Sequence, residues 1–159
     1  MNRIGGTYYN PNEKTNSTKR EVKTVKLNYE IDKPTINGRI YKREDVKKAF
    51  DDIMNRVEIP VVRNSDELYK IDEYGVIYDT SVLFKDIIGF FKGYEIKENG
   101  EIYIKVEPIF NTGLFDGCHY FSTAVVGRMR EDNSVDIDAI VGFFICGDKD
   151  IINVGGPDI

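Results

Sequence analysis

Hydrophobic and polar residues alternate along much of the chain, and this pattern predicts strands. Residues 22–31 place apolar side chains at every second position, namely Val25, Leu27, Tyr29 and Ile31. The intervening positions are polar, which is typical of a strand with one buried and one solvated face. Two later segments predict hairpins, one of 87–109 around Asn99-Gly100 and one of 121–145 around Asp132-Asn133. Residues 57–63 are predicted to be extended, with Pro60 confining them to a sheet edge or a strand start, and 64–75 to be loop.

One segment has clear helical periodicity. In residues 43–57 the apolar positions recur every three or four residues, at Val46, Ala49, Phe50, Ile53, Met54 and Val57. This spacing predicts an amphipathic helix that packs on a sheet through one stripe. Glu44 and Asp45 in its first turn and Arg56 in its last turn suit the helix dipole. Residues 111–119, rich in glycine, have room for one short helical turn.

These elements together predict the fold class. Six or seven strands and one main helix make a compact α+β domain, with a mostly antiparallel sheet, over residues 21–150. Ten tyrosines and nine phenylalanines among 159 residues, with no tryptophan, strengthen the expectation of a β-rich fold. Residues 151–159 are predicted to be a C-terminal tail.

Residues 1–20 differ in character from the rest of the chain. They are mostly polar and contain glycine and proline, which predicts a flexible N-terminal arm. Tyr8 and Tyr9 are the only large aromatic groups in this arm. They are interface candidates, because the alternative to a free tail is an arm that docks its tyrosines on a neighbouring subunit.

Charge and cysteine content exclude several classes of function. The net charge of -5 argues against direct binding of nucleic acid, which needs a basic surplus. No apolar run approaches a membrane span, and Met1–Asn10 lacks the apolar core of a signal peptide, so synthesis and use in a cytoplasm-like compartment are expected. Two cysteines and one histidine in no metal-binding spacing predict neither a metal site nor a cofactor.

Few residues could carry covalent catalysis. A nucleophilic triad would need His119 as its base, since it is the only histidine. The nearest hydroxyl in a predicted strand is that of Ser122, and Asp148 and Asp150 are among the acids that could orient a base. The residues alone favour a non-catalytic role for these four side chains.

Several segments resemble the prohead (capsid maturation) proteases of tailed bacteriophages. Residues 36–46, INGRIYKREDV, which lead into the predicted helix, are similar to the "NGRIYP" motif and following helix of that family. The predicted hairpin of residues 89–109 resembles a strand pair of the family. Residues 121–127, FSTAVVG, with Asp132-Asn133 and the strand after them, resemble the region that holds the nucleophilic serine, and Ser122 is the matching position. The similarity runs in matching order over about residues 23–150.

The departures from this family concern its catalytic machinery. The family places its first histidine after the helix, in a "GELDHP"-like run, whereas residues 58–66 here read EIPVVRNSD. A serine and an arginine that follow the family's nucleophile are Thr123 and Ala124 here, and His119 precedes Ser122 by three residues. General-base help contributes about 10²–10⁴-fold to such reactions, so its loss favours a vestigial site over an active enzyme.

Three readings of function follow, and the first two are what the resemblance implies. The first is a phage virion structural protein, an auxiliary or decoration protein of the head with an inactive prohead-protease-like fold. It would be made in the host cytoplasm, bind capsid or other virion proteins, and self-assemble on a lattice or ring. The second is an active serine protease that processes scaffold and capsid proteins. The third is an unrelated small ligand-binding domain.

Overall fold

Strands dominate the architecture. The computed structural model describes residues 21–56, 58–63, 68–72, 75–78, 86–109, 113–116 and 119–148. In chain order the elements are β1 (Lys23–Glu30), α1 (Arg43–Met54), β2 (Pro60–Val62), β3 (Tyr69–Asp72), β4 (Gly75–Tyr78), β5 (Ile87–Ile96), β6 (Glu101–Pro108), a 3₁₀ helix (Gly113–Phe115), β7 (His119–Met129) and β8 (Val135–Asp148).

Six of the strands close into a barrel, which corrects the predicted fold class. The order around the barrel is β1-β6-β5-β2-β8-β7, while β3 and β4 form a separate two-stranded sheet. Four neighbouring pairs in the barrel are antiparallel, but β1 with β7 and β2 with β8 are parallel. The α+β prediction was therefore wrong: the fold is a β-rich mixed barrel with a single α-helix. Alternation within one strand cannot reveal closure, which depends on pairings between distant strands.

The interior of the barrel and the buried face of α1 form one apolar core. The predicted inward positions of β1 are buried, and Leu27 is 1% exposed. They join residues of β5, β6, β7 and β8 in the same cluster. A second, smaller cluster consists of Val62, Leu68, Ala124 and Phe144. Ala124 and Phe144 are sequence neighbours of the core residues Thr123 and Phe143, so the smaller cluster lies on the outer face of the β7-β8 pair.

Helix α1 is confirmed, with two corrections. Val46, Ala49, Phe50 and Ile53 are buried, and the Phe50 ring meets Phe91, Tyr94 and Phe143 edge-on. Met54 was predicted to pack on the sheet but is 47% exposed. Arg56 was predicted to lie in the last turn of the helix. The helix ends at Met54, so Arg56 lies beyond that turn.

The hairpins and short elements largely follow the sequence prediction. Both hairpins are confirmed, as β5-β6 and β7-β8, and Gly113–Phe115 is the predicted short helical turn. Gly100 has φ of 97°, and a Cβ there would lie 3.1 Å from the Ile31 carbonyl oxygen, so this turn requires glycine. Pro60 starts a strand, as predicted, but β2 is flanked on both sides by β5 and β8. Residues 69–72 form β3, so the prediction of loop for that stretch was wrong.

Candidate functional site

The candidate nucleophile Ser122 lies in the middle of β7 and is fully buried. Its neighbour Thr123 faces the barrel interior, where its Oγ1 is 3.1 Å from the Tyr29 hydroxyl. Ser122 therefore faces outward, beside Ala124 and opposite Phe144. Its exposure is 0%, and its hydroxyl has no hydrogen-bond partner within the described part of the chain. A nucleophile must reach a substrate and a base, and Ser122 Oγ reaches neither in this conformation.

The other candidate catalytic residues lie near the open end of the β7-β8 hairpin. His119 begins β7 and is paired in register with Asp148 of β8. Ser122 lies three positions after His119 along the extended strand, a Cα–Cα span of about 10 Å. The structure thus brings His119 and Asp148 to neighbouring backbone positions but leaves Ser122 farther along the strand. Asp150, Tyr8 and Tyr9 lie outside the described residues.

Ser122 and Asn28 are neighbours on the outer face of the barrel. The parallel bridge between β1 and β7 pairs Leu27 with Phe121, so the next residues, Asn28 and Ser122, lie side by side. Asn28 is 7% exposed although the alternation places it on the solvated face. Its Nδ2 donates a hydrogen bond to Cys146 Sγ on β8, at 3.0 Å, whereas its Oδ1 is buried and accepts none from the described residues.

A polar groove opens next to Asn28. The groove has a volume of about 210 Å³. It is lined by Asn28 and neighbouring residues of β1, by residues of the turn after β1, and by Tyr120. The groove lies at the seam where β1 meets β7, the pair of barrel strands joined by a single bridge. The walls are charged, since Lys26, Glu30 and Lys33 all line it.

The charges around this groove are paired with one another. Lys26 Nζ lies 2.9 Å from Glu101 and 3.7 Å from Glu30, and Lys33 Nζ lies 2.5 Å from Glu30. Burial by itself lowers the pKa of Lys26, but the hydrogen bond and charges of Glu101 and Glu30 more than offset it, so that pKa rises. The hydrogen bond from Lys26 lowers the pKa of Glu101 to about 2. Because the charged side chains that line the groove are paired, the groove is polar but has no strong electrostatic potential of either sign.

A second polar cluster ties α1 to the β7-β8 hairpin. Arg130 binds both carboxylate oxygens of Asp45, at 2.7 and 2.9 Å, and Lys42 lies 2.8 Å from Asp132. Ser134 Oγ donates to Asp132 at 2.6 Å. The hydrogen bonds from Arg130 lower the pKa of the Asp45 carboxyl group. The pKa of the Asp132 carboxyl group is lowered chiefly by its hydrogen bond from Lys42. Every polar group in the cluster is engaged with another, which is typical of a structural clamp rather than a reactive site.

Sequence reasoning missed the groove. Asn28 was read as part of a solvated strand face, and Cys146 was considered only as a metal ligand. No local pattern could join these two, because 118 residues separate them. The only signal was a short amide between long charged side chains on one face of β1.

The part of the chain that the structure describes holds no group of three or more histidine, cysteine, aspartate or glutamate side chains fit to bind a metal ion. Its α-helix is also too short and polar to cross a membrane. No protein family, no curated protein and no solved structure matches this chain. The resemblance of residues 36–46, 89–109 and 121–127 to prohead proteases therefore stays a prediction from the sequence.

Proposed function

We propose that this chain is a structural protein of a phage virion, an auxiliary or decoration protein of the head. It acts by binding other virion proteins, and it carries sequence segments that resemble those of a prohead protease, in the same order, without that enzyme's reaction. It is synthesised in the host cytoplasm and is incorporated into the phage particle.

The proposal is supported by where the motifs fall in the fold. Residues 36–46 form the turn and entry into α1, residues 89–109 form the β5-β6 hairpin, and residues 121–127 lie in β7. All three are parts of one barrel and its packed helix. The segments that carry the resemblance are thus those that build the framework.

The observation that carries the non-enzymatic reading is the burial of Ser122. At the position that matches the family's nucleophile, the hydroxyl is 0% exposed and faces the apolar side chains of Ala124 and Phe144. General-base catalysis requires a base about 2.6–3.2 Å from the hydroxyl, or one water away. A buried serine in this setting packs as a small side chain, and the active-protease reading is the weaker one.

A specific observation also favours a second candidate, a small ligand-binding domain. Asn28 lines the groove, and its buried Oδ1 has no hydrogen-bond partner among the described residues. Buried polar atoms in native proteins are nearly always hydrogen-bonded, so an unmet acceptor on a residue that lines a groove favours a partner from outside the described residues. The same groove serves either reading, since its occupant can be a small molecule or a side chain of another protein.

The test is the protein content of purified particles of the phage that encodes this chain. Heads separated by density centrifugation are analysed by quantitative mass spectrometry, alongside heads from a phage carrying Ser122→Ala. We expect the chain in both preparations at the same fixed ratio to the major capsid protein. Absence from purified heads would contradict the structural role.

Protease activity is tested in parallel with purified chain and the phage's scaffold protein. We expect no cleavage by the wild-type chain or by Ser122→Ala. Cleavage that is lost in Ser122→Ala would establish the protease reading instead.

A further inference from the structure

The sequence contains two Asn-Gly dipeptides, and both lie in described turns. Asn37-Gly38 lies between β1 and α1, and Asn99-Gly100 lies between β5 and β6. In this dipeptide the backbone nitrogen of glycine can attack the side-chain amide of asparagine, because glycine has no side chain to hinder the approach. The two sites share this local chemistry, so a difference in their reactivity has to come from the fold.

The backbone conformation does not distinguish the two sites. The N–H of Gly38 donates to the Thr35 carbonyl oxygen at 2.9 Å. The N–H of Gly100 donates to the Lys97 carbonyl oxygen at 3.0 Å. Each asparagine is therefore the third residue of a hydrogen-bonded β-turn. Both glycines have positive φ, 79° at Gly38 and 97° at Gly100, so the two turns match in sequence and in backbone geometry.

The surroundings of Asn99 hold its side chain away from this reaction. Its Oδ1 accepts a hydrogen bond from the backbone N–H of Glu101 at 3.0 Å. Gly100 is buried, and its carbonyl oxygen accepts from the N–H of Ile31 at 2.8 Å. A Cβ on Gly100 would lie 3.1 Å from the Ile31 carbonyl oxygen. The amide of Asn99 must therefore give up a hydrogen bond and turn within a packed loop before it can react.

Asn37 has none of these restraints within the described part of the chain. Asn37 and Gly38 are both exposed. The side chain of Asn37 makes no hydrogen bond with a described residue, and a Cβ on Gly38 would have no atom within 4 Å. The amide carbon of Asn37 can therefore rotate towards the Gly38 nitrogen without loss of a bond or of packing.

We propose that Asn37 is a modification site, at which asparagine converts spontaneously to aspartate and isoaspartate, while the fold protects Asn99. The Gly38 nitrogen attacks Asn37 Cγ, the bond from Cγ to the side-chain nitrogen breaks, and that nitrogen leaves as ammonia with the proton of the Gly38 N–H. Water then opens the cyclic succinimide at one of its two carbonyl groups. The inference is independent of the proposed function, since it needs only the chain and solvent water.

The product alters the connection between β1 and α1. Each conversion replaces a neutral amide by a carboxylate, and isoaspartate also places an extra carbon in the main chain. The turn is tied to its surroundings, because Thr35 N–H donates to the Arg39 carbonyl oxygen and Ile40 N–H donates to that of Asn133, both at 2.9 Å. Residues 33–43 contain four basic and no acidic side chains. The new carboxylate is thus the first acidic group of a basic segment, and the modified fraction grows with the age of the protein.

The test is a time course of the purified full-length chain in mildly alkaline buffer, followed by peptide mapping with mass spectrometry. Replacement of an amide NH₂ by OH adds about 1 Da to the modified peptide. We expect the peptide containing Asn37 to convert about tenfold faster than that containing Asn99, since a barrier raised by the loss of one hydrogen bond slows a reaction by about that factor. Equal rates, or faster conversion of Asn99, would overturn the proposal. Labelling by a protein isoaspartate methyltransferase is expected in the Asn37 peptide.

Unfolding provides the matched control. In concentrated urea both dipeptides lose their surroundings, and we expect their rates of conversion to become similar. A difference of the same size in urea would place its cause in the flanking residues and overturn the role of the fold. Asn37→Gln is expected to abolish the fast conversion, because the longer side chain would have to form a larger and less favoured ring, and to leave the rate at Asn99 unchanged. Conversion of Asn37 in urea alone would show that the native turn protects it, and would refute the proposal.

Discussion

At the scale of single residues, the fold fully buries two serines, one in strand β7 and one in the turn before β8. Ser122 and Ser134 are both 0% exposed, yet their surroundings differ. Ser134 Oγ donates to Asp132 and accepts from Arg130 at 3.1 Å, whereas Ser122 Oγ has no partner among the described residues. A buried hydroxyl without a partner carries a desolvation cost that a methyl group does not.

This contrast predicts that the same substitution affects stability differently at the two serines. Ser122→Ala should change the free energy of unfolding by less than about 1 kcal/mol, in either direction, while Ser134→Ala should lower it by about 1–2 kcal/mol. Urea denaturation of the two variants beside wild type measures both. A loss above about 2 kcal/mol for Ser122→Ala would mean that its hydroxyl is bonded after all.

Two glycines in the strands make a second matched pair. A Cβ on Gly127 would lie 2.4 Å from the Asp136 carbonyl oxygen, whereas one on Gly93 would meet only the Lys105 side chain, at 3.6 Å. Gly127→Ala should therefore destabilise the fold by about 1–3 kcal/mol. Gly93→Ala should stay within about 0.5 kcal/mol of wild type. Equal midpoints of thermal unfolding for the two variants would contradict the expected clash between a side chain at Gly127 and the backbone of β8.

At the scale of elements, α1 is held to the barrel by one face and by its first turn. Phe50 is enclosed by three aromatic rings of β5 and β8. Arg130, beyond the end of β7, clamps Asp45 in the first turn of the helix. The N-cap residue Lys42 makes no side-chain cap, so packing and this clamp replace a capping bond.

Truncation of the helix stripe should separate buried from exposed positions. Phe50→Ala is expected to cost about 3–5 kcal/mol because it empties a fully buried site. Met54→Ala, in the same helix but 47% exposed, should cost less than about 0.5 kcal/mol. Chemical denaturation measures the difference between the two. A small effect at Phe50 would show that α1 can leave the barrel without loss of the core.

At the scale of the whole molecule, charge pairs join segments that are distant in sequence. Glu101 of β6 holds Lys26 of β1, and Asp132 of the β7-β8 turn holds Lys42 before α1. Both carboxyl groups, and that of Asp45, have pKa values below their ordinary range in the folded chain. The folded state therefore binds protons less readily than the unfolded state at these positions.

These depressed carboxyl pKa values determine how the stability of the fold changes with pH. A carboxyl group with a depressed pKa in the fold stabilises it above the unfolded pKa, and that contribution is lost as pH falls through the folded pKa. Since the pKa of Glu101 falls from 4.5 to about 2, stability should decline across that interval. Urea midpoints measured across this range check the decline. Glu101→Gln should reduce the midpoint near neutral pH and flatten the decline, and an unchanged slope would contradict the role of this ion pair.

The sequence by itself determined the local elements. Alternation predicted β1, the Asn-Gly and Asp-Asn turns predicted both hairpins, and helical spacing predicted α1 with Phe50 on its buried face. These features depend on neighbours within a few residues, where side-chain periodicity and turn chemistry act directly. The exposure of Met54 escaped the pattern because the width of a helix stripe depends on what covers it.

Closure of the barrel and the groove were decided only by the tertiary structure. Tyr29 meets Thr123 across 94 residues, and Asn28 meets Cys146 across 118. Alternation states which residues share a face of a strand, but it does not state which strand lies beside it or whether the sheet closes. Asn28 read as an ordinary polar position in the sequence because Cys146, to which it donates a hydrogen bond, comes from the other end of the chain.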